Sequence, residues 1–422
     1  MKVKGRFCFF VALRYLLGRA KEGGRYLRGA AIGIAISLIP IMVTLIVADG
    51  MIRGIIDRYL ELGTGHLQVF NYFEPDNLDQ VVVDIQEMEG VRGVWLEQRG
   101  MGILSGKSGK AGAAIRAIDP SFWQDKGSAE YLVVRSGSAN LESGRELLLG
   151  DSLAETLGVA VGDTVRLMTI RSGPTGQIPR VSPFTVRGIV SSGYHELDAL
   201  WCIVSLEGGS RILSADSSSS SLIVKIDDPY HGTNEKLRAL FPLLGRGFSV
   251  YSWKELMHSQ YSSYESTRQL LLFIMALIVT VAAINVSAAT SMLVIERQRD
   301  IAVLKVTGAS VKGISGIFLW GSFLTGLLGA IIGITLGLII GCNINQLLRS
   351  LERLLNFFSG LFHGGTVKIL DPGFYLETIP IIIDWKTVFL IGCFTVICSC
   401  VASWIPARRA GKLKPMELFR KY

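Results

Sequence analysis

Charge and histidine are scarce in this chain of 422 residues: charged side chains make up 18%, histidines number five, and hydrophobic residues reach 49%. With a mean hydropathy of +0.41, the chain is too apolar for an ordinary soluble enzyme and too polar to be membrane throughout, so a membrane part and a soluble part are expected. Cysteine is sparse too. Cys8, Cys342, Cys393, Cys398 and Cys400 sit in or beside apolar segments and Cys202 stands alone in the polar middle, so no disulfide framework or CxxC metal pattern follows, and small apolar filler is the reading. Catalytic motifs are missing. His195-Glu196 lacks the second histidine of HExxH, and no Gly-x-Ser-x-Gly elbow occurs. The nearest approach to a phosphate loop is GILSGKSG, 102–109, but Gly102 stands three residues, not four, ahead of Gly106-Lys107-Ser108. A β-turn between strands is predicted there. No catalytic residue, metal site or cofactor is expected on this chain, so energy for any transport must come from elsewhere.

What the chain does have is long apolar runs. Residues 270–295, LLLFIMALIVTVAAINVSAATSMLVI, are long enough to cross a ~30 Å hydrocarbon core at about 1.5 Å per residue. The continuation ERQRDIAVLKVTGAS, 296–310, sets Ile301, Val303, Leu304 and Val306 among Arg297, Arg299, Asp300 and Lys305, with Gly308 as a stop signal. It reads as a short amphipathic helix at the membrane surface, a foot joined directly to a spanning helix. Three further runs are of spanning length. The first, with Pro40 inside it, lacks an Ala-x-Ala exit and is expected to be a retained anchor. The third carries Gly316, Gly321, Gly326, Gly329, Gly333, Gly337 and Gly341, several of them four residues apart, a spacing that lets helices approach closely in lipid.

The predicted organisation is a membrane α-helical protein with four spans and a large α+β extracytoplasmic domain between the first two. Its parts are a cytoplasmic amphipathic segment (1–28), a first span (29–50), a two-lobed external domain (51–266), a second span (267–295) and the foot (296–312). A third span (313–341), a short external segment (342–385), a fourth span (386–406) and a basic tail (407–422) follow. In the external domain HLQVF, VVVDI, AAIRAI, ELLLG, TVRLMTI, FTVRGIV, LWCIVSL and SLIVKI read as strands, 151–157 and 206–213 as helices, and Ser217 to Ser221 as a solvated turn between lobes. Charge supports cytoplasmic termini. The segments 1–28, 296–312 and 407–422 hold eighteen basic side chains against Glu22, Glu296, Asp300 and Glu417, a net of +14 within an overall +8, which leaves −6 for the remainder. Nucleic acid is not needed to explain the basicity.

ALRYLLGRA (12–20), ERQRDIAVLKVTGAS (296–310), FYLETIPIIIDW (374–385) and PARRAGKLKPMELFR (406–420) together resemble the MacB/FtsX-like permeases of ABC transporters, and within them the lipoprotein-releasing LolC/LolE permeases. The resemblance covers essentially the whole chain. It implies a non-catalytic permease in the bacterial inner membrane that extracts lipoproteins from the outer leaflet and passes them to a periplasmic carrier. Its implied partners are a LolD-like ATPase subunit holding ATP and Mg, a second permease that is a paralogue or another copy, a LolA-like carrier, the lipoprotein substrate and membrane lipids. It further implies that 296–310 is the coupling helix seated in the ATPase, with Glu296, Arg297, Arg299, Asp300, Lys305 and Gly308 as its polar and turn positions. Arg297, Arg299 and Lys305 would meet acidic groups and Ile301 and Leu304 would fill an apolar slot. The proline-rich loop 171–184, with Pro174, Gln177, Ile178, Pro179 and Arg180, looks like the hook by which LolC-type permeases recruit the carrier. Val43, Val47, Met51, Phe273, Ile274 and Leu277 are candidates for lining a lipid cavity. Rival readings are a MacB-type efflux permease and an FtsX-like signalling scaffold.

Overall fold

The computed structural model describes residues 5–17, 24–71, 78–173, 176–213, 218–244, 247–361, 376 and 378–413. Ser217, the tail beyond Leu413 and most of the segment before the fourth span lie outside these. The chain opens with α1 (Gly5–Leu17) and α2 (Gly24–Arg58), then β1 (Leu67–Asn71), α3 (Leu78–Gln86), β2 (Val91–Ser105), β3 (Lys110–Ile118), α4 (Lys126–Tyr131), β4 (Val133–Gly137) and β5 (Glu146–Gly150). Next come α5 (Asp151–Leu157), β6 (Thr164–Gly173), β7 (Gly176–Ser191), α6 (His195–Asp198), β8 (Trp201–Val204), α7 (Leu206–Ile212), β9 (Ser218–Ile226), α8 (Thr233–Leu240), β10 (Phe248–Ser252) and α9 (Trp253–Leu256). The chain closes with α10 (His258–Glu296), α11 (Gln298–Val306), α12 (Val311–Cys342), α13 (Ile344–Leu361), α14 (Trp385–Ala402) and α15 (Trp404–Lys412). Two compact units result, one from Met1–Gly50, Tyr264–Gly364 and Pro380–Tyr422, the other from Met51–Ser263 and Gly365–Ile379.

Four helical stretches among the described residues are long and apolar enough to cross a membrane: Arg25–Thr64, His258–Glu296, Val311–Cys342 and Trp385–Lys412. Gly329, Gly333, Gly337 and Gly341 of α12 form a strip against α2. A methyl group at Gly333 would lie 2.8 Å from Leu38 Cβ, and one at Gly337 would lie 2.5 Å from Met42 Cβ. Hydroxyl groups add directional contacts that apolar packing in lipid lacks. Thr290 of α10 bonds Ser322 of α12 at 3.0 Å and Ser403, the residue before α15, at 3.3 Å, all three fully buried. Arg268 of α10 lies within 3.1 Å of Asp49 on α2 and 2.8 Å of Asp384, the N-cap of α14, which ties three helices together. Pro406, expected to end the fourth span, instead sits in the first turn of α15, where its missing N–H costs nothing, and the helix continues to Lys412.

The second unit is built on one ten-stranded sheet in the order β10-β1-β9-β2-β3-β8-β5-β7-β4, with β6 bridging β2 and β7. Two cores share it. Leu67, Val69, Leu222 and Val224 pack with Ile85 of α3 and Leu240 of α8 at one end, and Ile115, Leu147, Leu167 and Phe184 pack with Leu153, Leu157 and Ile212 at the other. The region expected to form two lobes is one compact unit on a single sheet, whose 15-residue strand β2 runs between β9 and β3. Two expectations fail here. VVVDI belongs to α3 and is not a strand: Leu78, Val81, Val82 and Ile85 recur at helical spacing and cover the sheet, and that packing outweighs β-propensity. Ser218 to Ser221 is not a turn but the start of β9, paired in register with Gly100 to Glu97 of β2. The short turn over 106–109 is observed, with the Gly106 N–H donating to Gly109 O at 2.9 Å, and Lys107 bonds Asp163 at 2.6 Å.

Candidate functional site

The foot begins where α10 stops at Glu296. Arg297 leaves helical geometry (φ −95°, ψ 21°) and α11 starts at the next residue. Its end is set by Gly308 at φ 91°: Gly308 N–H donates to Lys305 O at 3.0 Å and Ala309 N–H to Leu304 O at 2.9 Å, the paired bonds of a Schellman cap. Ser310 then caps α12 through its hydroxyl, which accepts from Gly313 N–H at 3.2 Å. One face of the foot is spent inside the chain. Ile301, expected to fill a slot on another protein, is 1% exposed and packs with Ala12 and Leu16 of α1, Phe318 of α12, and Ala407 and Ala410 of α15. It is core, because the next helix and two elements distant in sequence close over it.

The foot's charges are partly spent as well. Arg297 donates to Asp300 at 3.2 Å and lies 5.1 Å over the ring of Tyr15, whose hydroxyl donates to the same carboxylate at 3.4 Å. Burial, helped by the Asp300 carboxylate, pushes the Tyr15 hydroxyl up to about 12, so it remains a donor at neutral pH. Lys305 donates to the carbonyl of Leu413. Arg297 and Lys305 thus hold the foot to its own chain before any partner arrives. Leu304 is half-buried, Glu296 and Arg299 are exposed, and the outward apolar residues are Val303 (58% exposed) and Val306 (70%). The apolar slot implied by the resemblance falls on Ile301 and Leu304 instead, although the sequence pattern includes those two valines. Their three-residue spacing, out of phase with Ile301, is the signal that finds them.

The hook segment is a paired ribbon and not an open loop. β6 and β7 pair from Thr164↔Thr185 out to Gly173↔Gly176, while β2 accompanies β6 only at Arg166, Leu167 and Met168. From Thr169 outward no third strand is present among the described residues. Such a two-stranded ribbon relies on few contacts, and Pro179 is tolerated in it because one edge carries no ladder. Ile178 and Val181 are half exposed, as is Ile170, and Pro179 and Arg180 are exposed. Pro174 and the side chain of Gln177 lie outside the described residues.

The lipid-cavity candidates do not gather in one cavity. Ile274 lines a crevice of about 120 Å³ between α2 and α10 with Pro40, Ile41, Thr44, Leu45 and Met275. Phe273 and Leu277 face outward, 62% and 51% exposed, and Val43 and Val47 are half-buried. Met51 falls in the second unit.

A buried polar socket in the second unit was not foreseen. The helix ending at Arg58 widens into a π-turn over Tyr59–Thr64. Arg116 and Arg99 donate to the freed carbonyls of Leu62 and Gly63, and fully buried Glu97 pairs with both arginines. Burial pulls Arg116 below its ordinary value, and Glu97 opposes that shift. Beneath them Glu61 meets His66 at 3.2 Å, Arg92 at 3.0 Å and Lys225 at 3.2 Å. His66 Nδ1 accepts from Ile226 N–H at 2.8 Å, so Nε2 carries the proton and donates to Glu61. This neutral tautomer agrees with a pKa lowered by burial. The residues come from positions 61 to 225, with no local motif to announce them. Their work is structural: six charged groups pair around a helix end, and Glu61 Oε2 alone among their buried oxygens and nitrogens makes no hydrogen bond, though it lies 3.2 Å from Lys225 Nζ.

Among the described residues no cluster of three or more His, Cys, Asp or Glu side chains is placed to hold a metal. Four apolar helices of spanning length and a large strand-rich domain between the first two define a multi-pass membrane protein with an extracytoplasmic domain. Residues 29–239 match the MacB-like periplasmic core domain and residues 272–415 the FtsX-like permease C-terminal family, and the chain belongs to this permease family. It is 28% identical over 417 residues to the lipoprotein-releasing system transmembrane protein LolC of Xylella fastidiosa, covering 97% of this chain and 98% of that one. LolC of Neisseria meningitidis is 27% identical over 421 residues (97% and 98%), and the corresponding LolE of Haemophilus influenzae 24% over 429 residues (98% and 99%).

Proposed function

We propose that this chain is the permease subunit of an ABC transporter that takes lipoproteins from the outer leaflet of a bacterial inner membrane and hands them to a periplasmic carrier. The observation that carries this reading is the end-to-end correspondence with lipoprotein-releasing system proteins, spanning membrane helices and external domain alike. In this reading the chain binds no cofactor. ATP and Mg sit on a separate LolD-like ATPase subunit, a second permease completes the pair, and both termini are cytoplasmic. The foot supplies the coupling surface, with Val303, Val306, Arg299 and Glu296 turned outward for the ATPase, while Arg297, Asp300 and Tyr15 keep it in register with α1. Lipoprotein acyl chains would lie against the exposed side of α10 at Phe273 and Leu277 and along α2 at Val43 and Val47, and the β6–β7 ribbon would meet a LolA-like carrier. Each acyl CH₂ taken from lipid to water costs ~0.8 kcal/mol, which is why extraction requires ATP and a shielded handover.

A photo-activatable side chain at Leu277 in the assembled complex tests this. Capture of a triacylated lipoprotein, lost on addition of ATP and carrier, is expected. Capture of phospholipid alone, unchanged by ATP, would overturn it.

A further inference from the structure

α13 carries its polarity the wrong way round for a helix in water. It is joined to the end of α12 through Asn343 alone, so it starts where that span leaves the membrane. Its sequence repeats leucine and phenylalanine at Leu347, Leu351, Leu354, Leu355 and Phe358, one stripe at three- and four-residue spacing. Those side chains face away from the protein, between 39% and 53% exposed. On the other side Asn345, Glu352, Asn356 and Ser359 are half-buried and engaged within the protein. Arg349 and Arg353 are exposed. With Arg349, Glu352 and Arg353 at its middle the helix is not a span, and an unbroken apolar stripe of this size does not rest in water.

We propose that α13 is an in-plane membrane anchor. Its leucine and phenylalanine face lies at the boundary of headgroups and acyl chains, in the leaflet on the side of the large domain. Three observations select lipid as the occupant. The helix continues from a spanning element, so it sits at headgroup height. The apolar stripe is turned outward from its own unit. The exposed arginines reach the phosphates with their heads while their stems stay beside the acyl region. Span parity fixes the leaflet: α2 and α10 bracket the large domain, and α12 returns the chain to that same side.

The test places an environment-sensitive fluorescent amino acid at position 351, or at 349 on the opposite side of the helix, in the full chain. The protein is reconstituted into nanodiscs of phosphatidylcholine and phosphatidylglycerol, with either ordinary or acyl-brominated phosphatidylcholine. Bromine quenching about threefold stronger at 351 than at 349 is expected for an interfacial helix, and Leu354→Asp beside the 351 probe should reduce it at least by about half. Equal, weak quenching at both positions would overturn the proposal. So would blue-shifted emission at 351 without quenching, since that marks a face covered by protein, such as a second permease.

Discussion

Replacing Gly333 by alanine tests how closely α2 and α12 are packed. A methyl there would stand 2.8 Å from Leu38 Cβ and 2.9 Å from Ala35 Cα and O, whereas carbon atoms rest about 3.5–4.0 Å apart. All three obstacles are backbone or backbone-adjacent, so relief requires the helices to separate by about 1 Å, which also loosens the contacts at Gly329, Gly337 and Gly341. Overpacking of this kind costs about 1–3 kcal/mol. Gly321 is the internal control: a methyl there meets only Leu27 Cδ1 at 3.7 Å, an ordinary contact. Gly321→Ala should be neutral or stabilising by up to about 1 kcal/mol, since alanine holds a helix better than glycine. The sign therefore changes between two glycines of one helix. Denaturation of the purified chain in mixed micelles, followed by tryptophan fluorescence, measures both. Equal stability of the two variants, or a more stable Gly333→Ala, would refute the close approach.

Four other outcomes are expected. Val303→Asp with Val306→Asp should leave expression and thermal stability near wild type, because both side chains face outward, while ATPase stimulation by the complex falls at least about tenfold, the scale of an interface hot spot; Ile301→Ala should instead cost about 2–5 kcal/mol of stability, as for a buried cavity. Deleting 171–184 should spare assembly and ATP turnover and block transfer to the carrier, whereas loss of assembly would make the ribbon structural. Burial raises the Asp125 carboxyl, but the Lys225 ammonium at 2.8 Å and the Ser128 N–H bring it below its ordinary value. Its stabilising effect is thus present above the unfolded value, about 3.9, and is lost as pH falls through the lower folded value. Asp125→Asn should lower the melting temperature at pH 7 and flatten the decline below about pH 4, and an unchanged acid limb would count against the pair.

The spans, the glycine strip and the break between α10 and α11 were readable because each depends on local pattern: a run of apolar residues, a four-residue repeat, a sudden change of polarity ending in Gly308. The phase of the foot was not. Whether Ile301 or Val303 faces outward depends on the neighbouring α12 and on α1 and α15, which lie far away in sequence and close over Ile301. The same holds for VVVDI, whose β-branched residues suit a strand until the sheet beneath them needs a covering helix. The socket around Glu61 was invisible for a third reason. Its partners at positions 66, 92 and 225 are single charged residues in separate elements, each ordinary where it stands. Proline and glycine in 171–184 suggested a loop, yet the register shows paired strands almost to the tip.

Release of a radiolabelled triacylated lipoprotein from proteoliposomes holding this chain with its co-purified ATPase tests the proposed function most directly. Release that requires both ATP and a soluble LolA-like carrier is the predicted result. ATP turnover by an intact complex with no release in the presence of carrier would contradict it.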